Sequence, residues 1–345
     1  MTMAAVKRLV QSDITKLFFF FILTVVSATI ISPWLYNVGM FLAEVGESRQ
    51  FNGVMNWLAR ECANSVFSNY FNVSLVLCAL ILAGPFIMWL NLDNQTKQPL
   101  PSPWRIRLPK DTIAPEGGQI LRHNAHAGLH LATGFLLTGG ILTMAVWLLL
   151  VIEWFALDHP VEWWHATRTA LVTAIMLAIV KEWIFRGVIL GIFLRATRPA
   201  TAITAVSLIY AFIHFFLPTE AIQVEDPCSA DAGFKMLGLV MHHLMNPQKF
   251  AFGFVTLSAI GLILAYARYR TASLWLPIGL HIGWIFTHRS LKQITEFNPD
   301  HPPLSGLLIG PDGVSGFLPL CLLIITGLLV HVFAQISDQK RQPHA

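Results

Sequence analysis

Seven long runs of uncharged, mostly apolar residues constrain the fold of this chain more than any other feature. Each run reaches the length of about 18 to 20 residues that a helix needs to cross the hydrocarbon core of a bilayer. The sequence therefore predicts transmembrane helices in each of them. The runs are residues 17–43, 62–92, 123–152, 199–219, 250–267, 271–288 and 313–337.

Residues 169–194 would form an eighth run if Lys181, Glu182 and Arg186 were ignored. We therefore predict an all-α, polytopic membrane protein with about eight transmembrane helices. The composition agrees, because 55% of the 345 residues are hydrophobic and only 12% are charged. Ordinary soluble domains carry about twice that share of charged residues.

Lysine and arginine are concentrated in alternate connections between the predicted helices. They lie before and at the start of the first run, in residues 93–122, near residues 195–198 and 268–270, and in the tail. The intervening connections are mixed or acidic. The positive-inside rule places the basic set in the cytoplasm, so we expect both termini there. A bacterial inner membrane is the expected location.

Cys62 and Cys228 both fall on the predicted outer side, near the membrane ends of two connections. A disulfide between them is chemically permitted if that side is a bacterial periplasm. The sequence does not show how closely their Cα atoms approach, which decides whether the bond can form. We treat the pair as a candidate disulfide.

The charge cluster at Lys181, Glu182 and Arg186 is the first candidate site. Glu182 and Arg186 are four residues apart, so their side chains share one helix face. A structural interpretation is a buried ion pair that fixes helix packing. Charges in a transmembrane segment are costly, however, and frequently mark functional sites.

Two histidines in neighbouring runs strengthen the functional interpretation. His214 and His281 each lie within an apolar segment, where a lone histidine more often has a packing role. A glutamate with two histidines can activate water and stabilise an oxyanion. The same three residues are a candidate zinc site, since carboxylate and imidazole bind that metal. The glycine pairs 187/191 and 279/283 have a spacing that lets helices approach closely.

The stretches "EWIFRG", "YAFIH" and "LPIGLHIGW" together resemble the three motifs of the CAAX prenyl protease and bacteriocin-processing family of intramembrane peptidases. The family's first motif is a Glu-Glu pair followed after three residues by Arg. Its second is an aromatic residue four positions before a His, and its third is a His with an Asn four positions later. The resemblance extends from about residue 166 to residue 287.

The resemblance implies a glutamate-dependent peptidase that needs no metal. The family's second Glu falls on Glu182, its Arg on Arg186, its aromatic residue on Tyr210, and its two histidines on His214 and His281. The glutamate and the first His would position and deprotonate a water molecule. The second His, with the Asn, would hold the oxyanion.

Two positions depart from the family's pattern. Lys181 stands where the family has the first Glu of its pair, and Ile285 stands where it has Asn. Neither residue can perform the role of the one it replaces. Either Glu182 activates water through a local twist of its helix, or the chain is a catalytically inactive relative, such as a membrane interaction or immunity-type protein.

We accordingly expect three regions: an amino-terminal transmembrane region at residues 1–165, a peptidase-like core at residues 166–290, and a last helix with its flanks at residues 291–345. The expected partners are the lipid bilayer and a membrane-anchored peptide or protein substrate, and no nucleic acid. A transporter that uses the buried charges for proton coupling is a weaker hypothesis, because we find no inverted repeat in the sequence.

Overall fold

The computed structural model describes residues 12–48, 53–92, 105–107, 121–124, 126–157, 163–217, 222–245, 251–298, 308–309 and 316–339. Nearly all of these residues are helical, and the four strands have three residues each. The predicted all-α fold is therefore confirmed. The described residues divide into two compact units. These units are defined by contacts, whereas the three predicted regions follow chain order and stay a prediction.

The first unit comprises residues 1–98 and 212–250. It contains α1 (Asp13–Ser48), α2 (Gly53–Asn64), α3 (Phe67–Leu92) and α8 (Ala232–Leu244). Its core combines large side chains of α3, such as Phe71, with the fully buried Met236 of α8. Gly233 lies directly against the carbonyl oxygen of Thr29. Helix α8 is thus packed into this unit on one face.

The second unit comprises residues 99–211 and 251–345. Its helices and strands, in chain order, are β1 (Arg105–Arg107), β2 (Leu121–His123), α4 (Ala127–Val151), β3 (Phe155–Leu157), α5 (Trp163–Glu182), a π-helix (Trp183–Ile189), α6 (Leu190–Ala196), α7 (Pro199–Phe216), α9 (Ala251–Thr271), α10 (Trp275–Ile294), β4 (Thr295–Phe297) and α11 (Phe317–Gln339). The last residues of α7, from Phe212 onward, belong to the first unit.

Helix α10 is at the centre of the second unit. Every residue from Leu276 to Gly283 is buried, and α4, α5 and α9 all pack against this helix. A buried polar cluster precedes it: the side chain of Asn124 donates a 2.9 Å hydrogen bond to Ser273 Oγ, which also accepts the N–H of Trp275. This arrangement satisfies one of the exposed N–H groups at the start of α10.

Two short antiparallel ladders complete the second unit. β1 pairs with β2 in the basic segment before α4, and β3 pairs with β4. Strand β3 follows α4 after a short turn, and β4 directly follows α10. The second ladder therefore joins the ends of two helices that also pack side by side.

Six helices among the described residues are long and apolar enough to cross a membrane: they lie in α1, α3, α4, α7, α9 and α11. The predicted integral membrane protein is confirmed, whereas the count of eight is not. The remaining two predicted spans are helical, but each contains charged residues, such as Glu182 in α5 and Arg289 in α10. The exposed face of α5 is nevertheless apolar, with side chains such as Val172, Met176 and Val180.

Candidate active site

Glu182 is the last residue of α5, and the π-helix begins at the next residue. Its side chain is completely buried. A π-helix widens the turn, and such segments are rare and frequent at functional sites. The sequence hypothesis of a local twist at Glu182 therefore has a structural counterpart. The π-helix carries Arg186, and its Phe185 ring packs edge-on against Tyr210.

One carboxylate oxygen of Glu182 accepts two hydrogen bonds. Arg186 Nη1 lies 2.9 Å from Oε1, and His281 Nδ1 lies 2.5 Å from the same atom. The other oxygen, Oε2, is buried and has no hydrogen-bond partner among the described residues. A carboxylate has room for about four acceptor contacts, so Oε2 retains acceptor capacity.

His281 is held through both ring nitrogens. Because an ionised carboxylate only accepts, Nδ1 carries the proton that it shares with Glu182. In the neutral ring Nε2 is then an acceptor, and the Tyr210 hydroxyl lies 3.3 Å away in position to donate to it. The hydrogen bonds run from Tyr210 through His281 to Glu182, and the imidazole is fixed in one orientation.

Arg186 balances the charge of Glu182 in the buried space between the helices. It is 1% exposed, its guanidinium lies 4.6 Å from the centre of the Tyr210 ring, and Nη2 donates to the carbonyl oxygen of Gly261 over 3.4 Å. A buried ion pair persists only when its members are well paired and hydrogen-bonded. This requirement is largely met in the buried cluster, which consists of Glu182, Arg186, Tyr210 and His281. The exceptions are Glu182 Oε2 and Arg186 Nε, which have no hydrogen-bond partner among the described residues.

The backbone around His281 is held by a residue that the motifs do not contain. Thr138 of α4 donates a 2.8 Å hydrogen bond to the carbonyl oxygen of Leu280, and the carbonyl oxygen of Gly134 in its own helix lies 3.0 Å from the same hydroxyl. Gly279 and Gly283 lie directly against α4. The glycine spacing predicted this close approach, whereas nothing in the sequence singled out Thr138.

Lys181 does not join this cluster. Its side chain is half-buried, and no hydrogen bond or salt bridge joins it to the part of the chain that the structure describes. Ile285 packs beside a buried cluster formed by Ala174, Ala178 and residues of α10. Of the two adjacent residues, Glu182 is the one that faces His281.

His214 lies near the end of α7, where its side chain is exposed, and it belongs to the first unit. Its predicted meeting with Glu182 and His281 therefore stays a prediction. On the same helix, Tyr210 and His214 are one turn apart, about 6 Å along the axis.

The residues present do not fit a metal site as they are arranged. Both nitrogens of His281 have protein partners, and a metal-ligating histidine needs one of them free. Within the described ranges, no group of three His, Cys, Asp or Glu side chains is arranged to bind a metal ion. The predicted zinc site of Glu182, His214 and His281 stays a hypothesis without structural support.

Cys62 and Cys228 are free thiols in the first unit. The backbone carbonyl of Cys62 accepts a 3.0 Å hydrogen bond from the Tyr70 hydroxyl, and that of Cys228 accepts one from Asn37 at 3.4 Å. The ring of Tyr36, which precedes Asn37, packs against the ring of Tyr70 with centroids 5.1 Å apart. The two cysteines therefore lie beside neighbouring residues, and the disulfide between them stays a prediction.

These observations define a polytopic membrane protein with a buried carboxylate–histidine site between its helices. Residues 163–287 match the family described as Type II CAAX prenyl endopeptidase Rce1-like. The match confirms the family resemblance inferred from the three motifs, and its range contains every residue of the buried cluster. Comparison with curated proteins and with solved structures found no match. At the level of this family, the matched segment is similar to CAAX-protease-like intramembrane peptidases.

Proposed function

We propose that this chain is an intramembrane endopeptidase that hydrolyses a peptide bond of a membrane-associated or lipidated protein, with Glu182 as the base that activates water. The observation that carries the proposal is the asymmetry of its carboxylate. Oε1 is held by Arg186 and His281, whereas Oε2 is buried without a partner among the described residues. A water molecule that donates to Oε2 would complete the set of hydrogen bonds.

In this mechanism the Arg186 and His281 contacts fix the carboxylate in one orientation. Glu182 accepts a proton from the water as its oxygen attacks the carbonyl carbon of the scissile bond. The proton then passes to the leaving nitrogen as the C–N bond breaks. General base and acid action of this kind contributes about 10²- to 10⁴-fold to rate. His214 is a second water-positioning residue in this proposal, following the family's pattern.

An apolar groove in the second unit is the proposed place for the hydrophobic part of the substrate. It has a volume of about 550 Å³ and lies between α4 and α10, with Gly139, Met144, Trp147 and Phe286 among its lining residues. Sites for small apolar ligands have volumes of this order. Thr287, which also lines the groove, is six residues from His281, or about 9 Å along the helix axis.

The location that accompanies this function is a bacterial inner membrane with both termini in the cytoplasm. The partners are the bilayer and a membrane-anchored substrate, and nucleic acid has no part in it. The reaction has no metal-dependent step, so we expect cleavage to persist in a zinc chelator. Loss of cleavage in the chelator, with recovery on added zinc, would instead support zinc bound by Glu182, His214 and His281.

A catalytically inactive relative is the second candidate function. The observations that favour it are Lys181 and Ile285, which replace two functional residues of the family. In such a protein the same cluster of Glu182, Arg186, Tyr210 and His281 would serve only to hold the helices together. The chain would then act as a membrane interaction or immunity-type protein.

Cleavage of a panel of membrane-anchored peptides by the purified protein in detergent separates the two candidates. We expect the wild type to cleave at least one peptide and Glu182→Gln to lower kcat by about 10³-fold, within the range for a lost general base. Glu296→Gln removes an exposed carboxylate of the same unit and serves as the matched control, with full activity expected. If no peptide is cleaved, the inactive relative is favoured. If Glu182→Gln cleaves like the wild type, Glu182 is not the base.

A further inference from the structure

The proposed hydrolysis develops a negative charge on the carbonyl oxygen, and an enzyme needs a hydrogen-bond donor there. Such donors are worth about 10²- to 10³-fold in kcat when removed. His281 already uses both ring nitrogens, and Ile285 has no donor in its side chain. Arg186 is engaged by Glu182 and by the carbonyl oxygen of Gly261. The buried cluster therefore leaves the oxyanion without a donor.

Lys181 directly precedes Glu182 in α5 and is the next group to consider as a donor. Ala174 and Ala178 are fully buried in one cluster with Ile278 and Ile282, and Ile285 packs against the same cluster. Lys181 follows these alanines by seven and three residues, so it extends the same side of α5 by about one turn. By this spacing Lys181 is on the side of α5 that faces the α10 residues against which Ile285 packs.

The electrostatic surroundings of Lys181 favour an anion. Its amine has no hydrogen-bond or salt-bridge partner among the described residues. The amine interacts electrostatically with three charged side chains, those of Glu182, Arg186 and Arg289. Glu182 is the one carboxylate among these groups, and it is already paired with Arg186. The remaining positive groups stabilise a negative charge that forms beside them.

We propose that Lys181 is the catalytic residue that donates to the oxyanion in this chain. As the water oxygen bonds to the carbonyl carbon, the electron pair of the C=O π bond moves to the oxygen, where an N–H of Lys181 donates to it. Glu182 holds the water proton. When the C=O bond re-forms, the C–N bond breaks and that proton passes to the leaving nitrogen, while Lys181 keeps its own protons throughout.

This inference rests on the proposed peptidase function and accounts for both departures together. The carboxylate role lies on Glu182 alone. The donor role of the family's Asn lies on the opposite side of the same interface, on Lys181, and Ile285 only packs. A second prediction is that Ile285→Asn raises kcat in a variant that lacks Lys181.

The test measures kcat and KM for a peptide that the wild type cleaves. We expect Lys181→Met to lower kcat by about 10²- to 10³-fold with KM changed by less than about threefold, because the lost contact exists only in the transition state. Lys181→Arg, which keeps donors, should retain more activity than Lys181→Met. The double variant Lys181→Met with Ile285→Asn should recover at least about tenfold in kcat.

A merely structural lysine predicts a different result. In that case Lys181→Met would change the melting temperature and leave kcat of the folded fraction intact, and Ile285→Asn would add damage instead of rescue. If Lys181→Met does not fold, the single variant Lys181→Glu is compared with the double variant that also carries Ile285→Asn. The double variant has the family's motif at both positions. Rescue by Asn supports the proposal, and equal or lower kcat in the double variant overturns it.

The outcome for Glu182 distinguishes failure of this inference from failure of the proposed function. If the wild type cleaves, Glu182→Gln does not, and Lys181→Met turns over like the wild type, only the role of Lys181 is wrong. If the wild type cleaves nothing in the panel, the peptidase function itself fails and the role of Lys181 fails with it.

Discussion

Glu182 is at once a member of a buried ion pair and the proposed base, and its two oxygens separate these roles. Oε1 carries the contacts with Arg186 and His281, and Oε2 remains for water. Burying an ionised carboxylate costs several kcal/mol unless it is paired. The same contacts that offset this cost also hold the carboxylate rigid, which is what an efficient base requires.

Tyr210→Phe tests the hydrogen bond to His281 with almost no change of volume. Loss of one buried hydroxyl donor costs about 1 kcal/mol, so we expect kcat to fall about fivefold with the melting temperature nearly unchanged. Tyr36→Phe, in the other unit, is the matched control and should leave kcat unchanged. A kcat equal to the wild type in Tyr210→Phe would show that His281 does not need this contact to orient Glu182.

Arg186→Met tests the ion pair. The variant leaves Glu182 buried beside a neutral side chain, and we expect a loss of about 3 to 5 kcal/mol in the free energy of unfolding. Adding Glu182→Gln removes the uncompensated charge, so the double variant should be more stable than Arg186→Met. Unfolding in detergent followed by circular dichroism measures both. Additive losses in the double variant would contradict the pairing.

At the scale of the element, the contact between α4 and α10 is the closest helix packing that bears on the site. A Cβ atom on Gly134 would lie 2.6 Å from both the carbonyl oxygen of Leu276 and the amide nitrogen of Leu280. Backbone cannot yield as a flexible side chain can. Position 134 therefore requires glycine, and the Thr138–Leu280 hydrogen bond depends on this close approach.

Gly134→Ala should lower the free energy of unfolding by about 1 to 3 kcal/mol, the typical cost of overpacking. Gly128→Ala in the same helix is the control, since a Cβ there meets nothing within 4 Å. It should be neutral or stabilising by up to about 1 kcal/mol, because alanine has the higher helix propensity. Thermal melts of the two variants in one detergent make the comparison. Equal melting temperatures would contradict the close contact.

Many features of the helices and their packing could be predicted from the sequence. The length of the apolar runs predicted the helices, and the spacing of Gly279 and Gly283 predicted a close approach. The pairing of Glu182 with Arg186 follows from helical periodicity. The π-helix has no sequence signature of its own, and Thr138 is one threonine among many. Which nitrogen of His281 meets which partner depends on packing between helices that are distant in sequence.

At the scale of the whole molecule, the two units raise separate questions. In the first unit, Cys62 and Cys228 lie beside the contacting residues Tyr36, Asn37 and Tyr70. We expect the two thiols to form a disulfide when cells export this side to an oxidising compartment, by exchange with a disulfide oxidant. Alkylation of unreduced protein should then label neither cysteine.

Single Cys62→Ser and Cys228→Ser variants should each expose the other thiol to the alkylating reagent. Cys321→Ser, far along the chain in α11, is the control and should leave both protected. Mass spectrometry of peptides from membranes measures all four proteins. Labelling of both cysteines in the unreduced wild type would refute the bridge.

The expected topology is tested with reporters fused to the whole chain. We expect a fluorescent protein after residue 345 to fluoresce and alkaline phosphatase at the same place to be inactive, because the positive-inside rule places this end in the cytoplasm. Alkaline phosphatase inserted after residue 226 should be active. The opposite pattern at both positions would invert the assignment, and the disulfide prediction would fail with it.

The ladder between β3 and β4 has a mechanical consequence for substrate entry. It ties the ends of α4 and α10, and the side chain and backbone of Asn298 add two hydrogen bonds to residues 153 and 154. Together with the glycine contact, these bonds hold the two helices against each other at both places. For a substrate to reach Glu182 in the proposed reaction, we therefore expect α5 to move and α10 to stay in place.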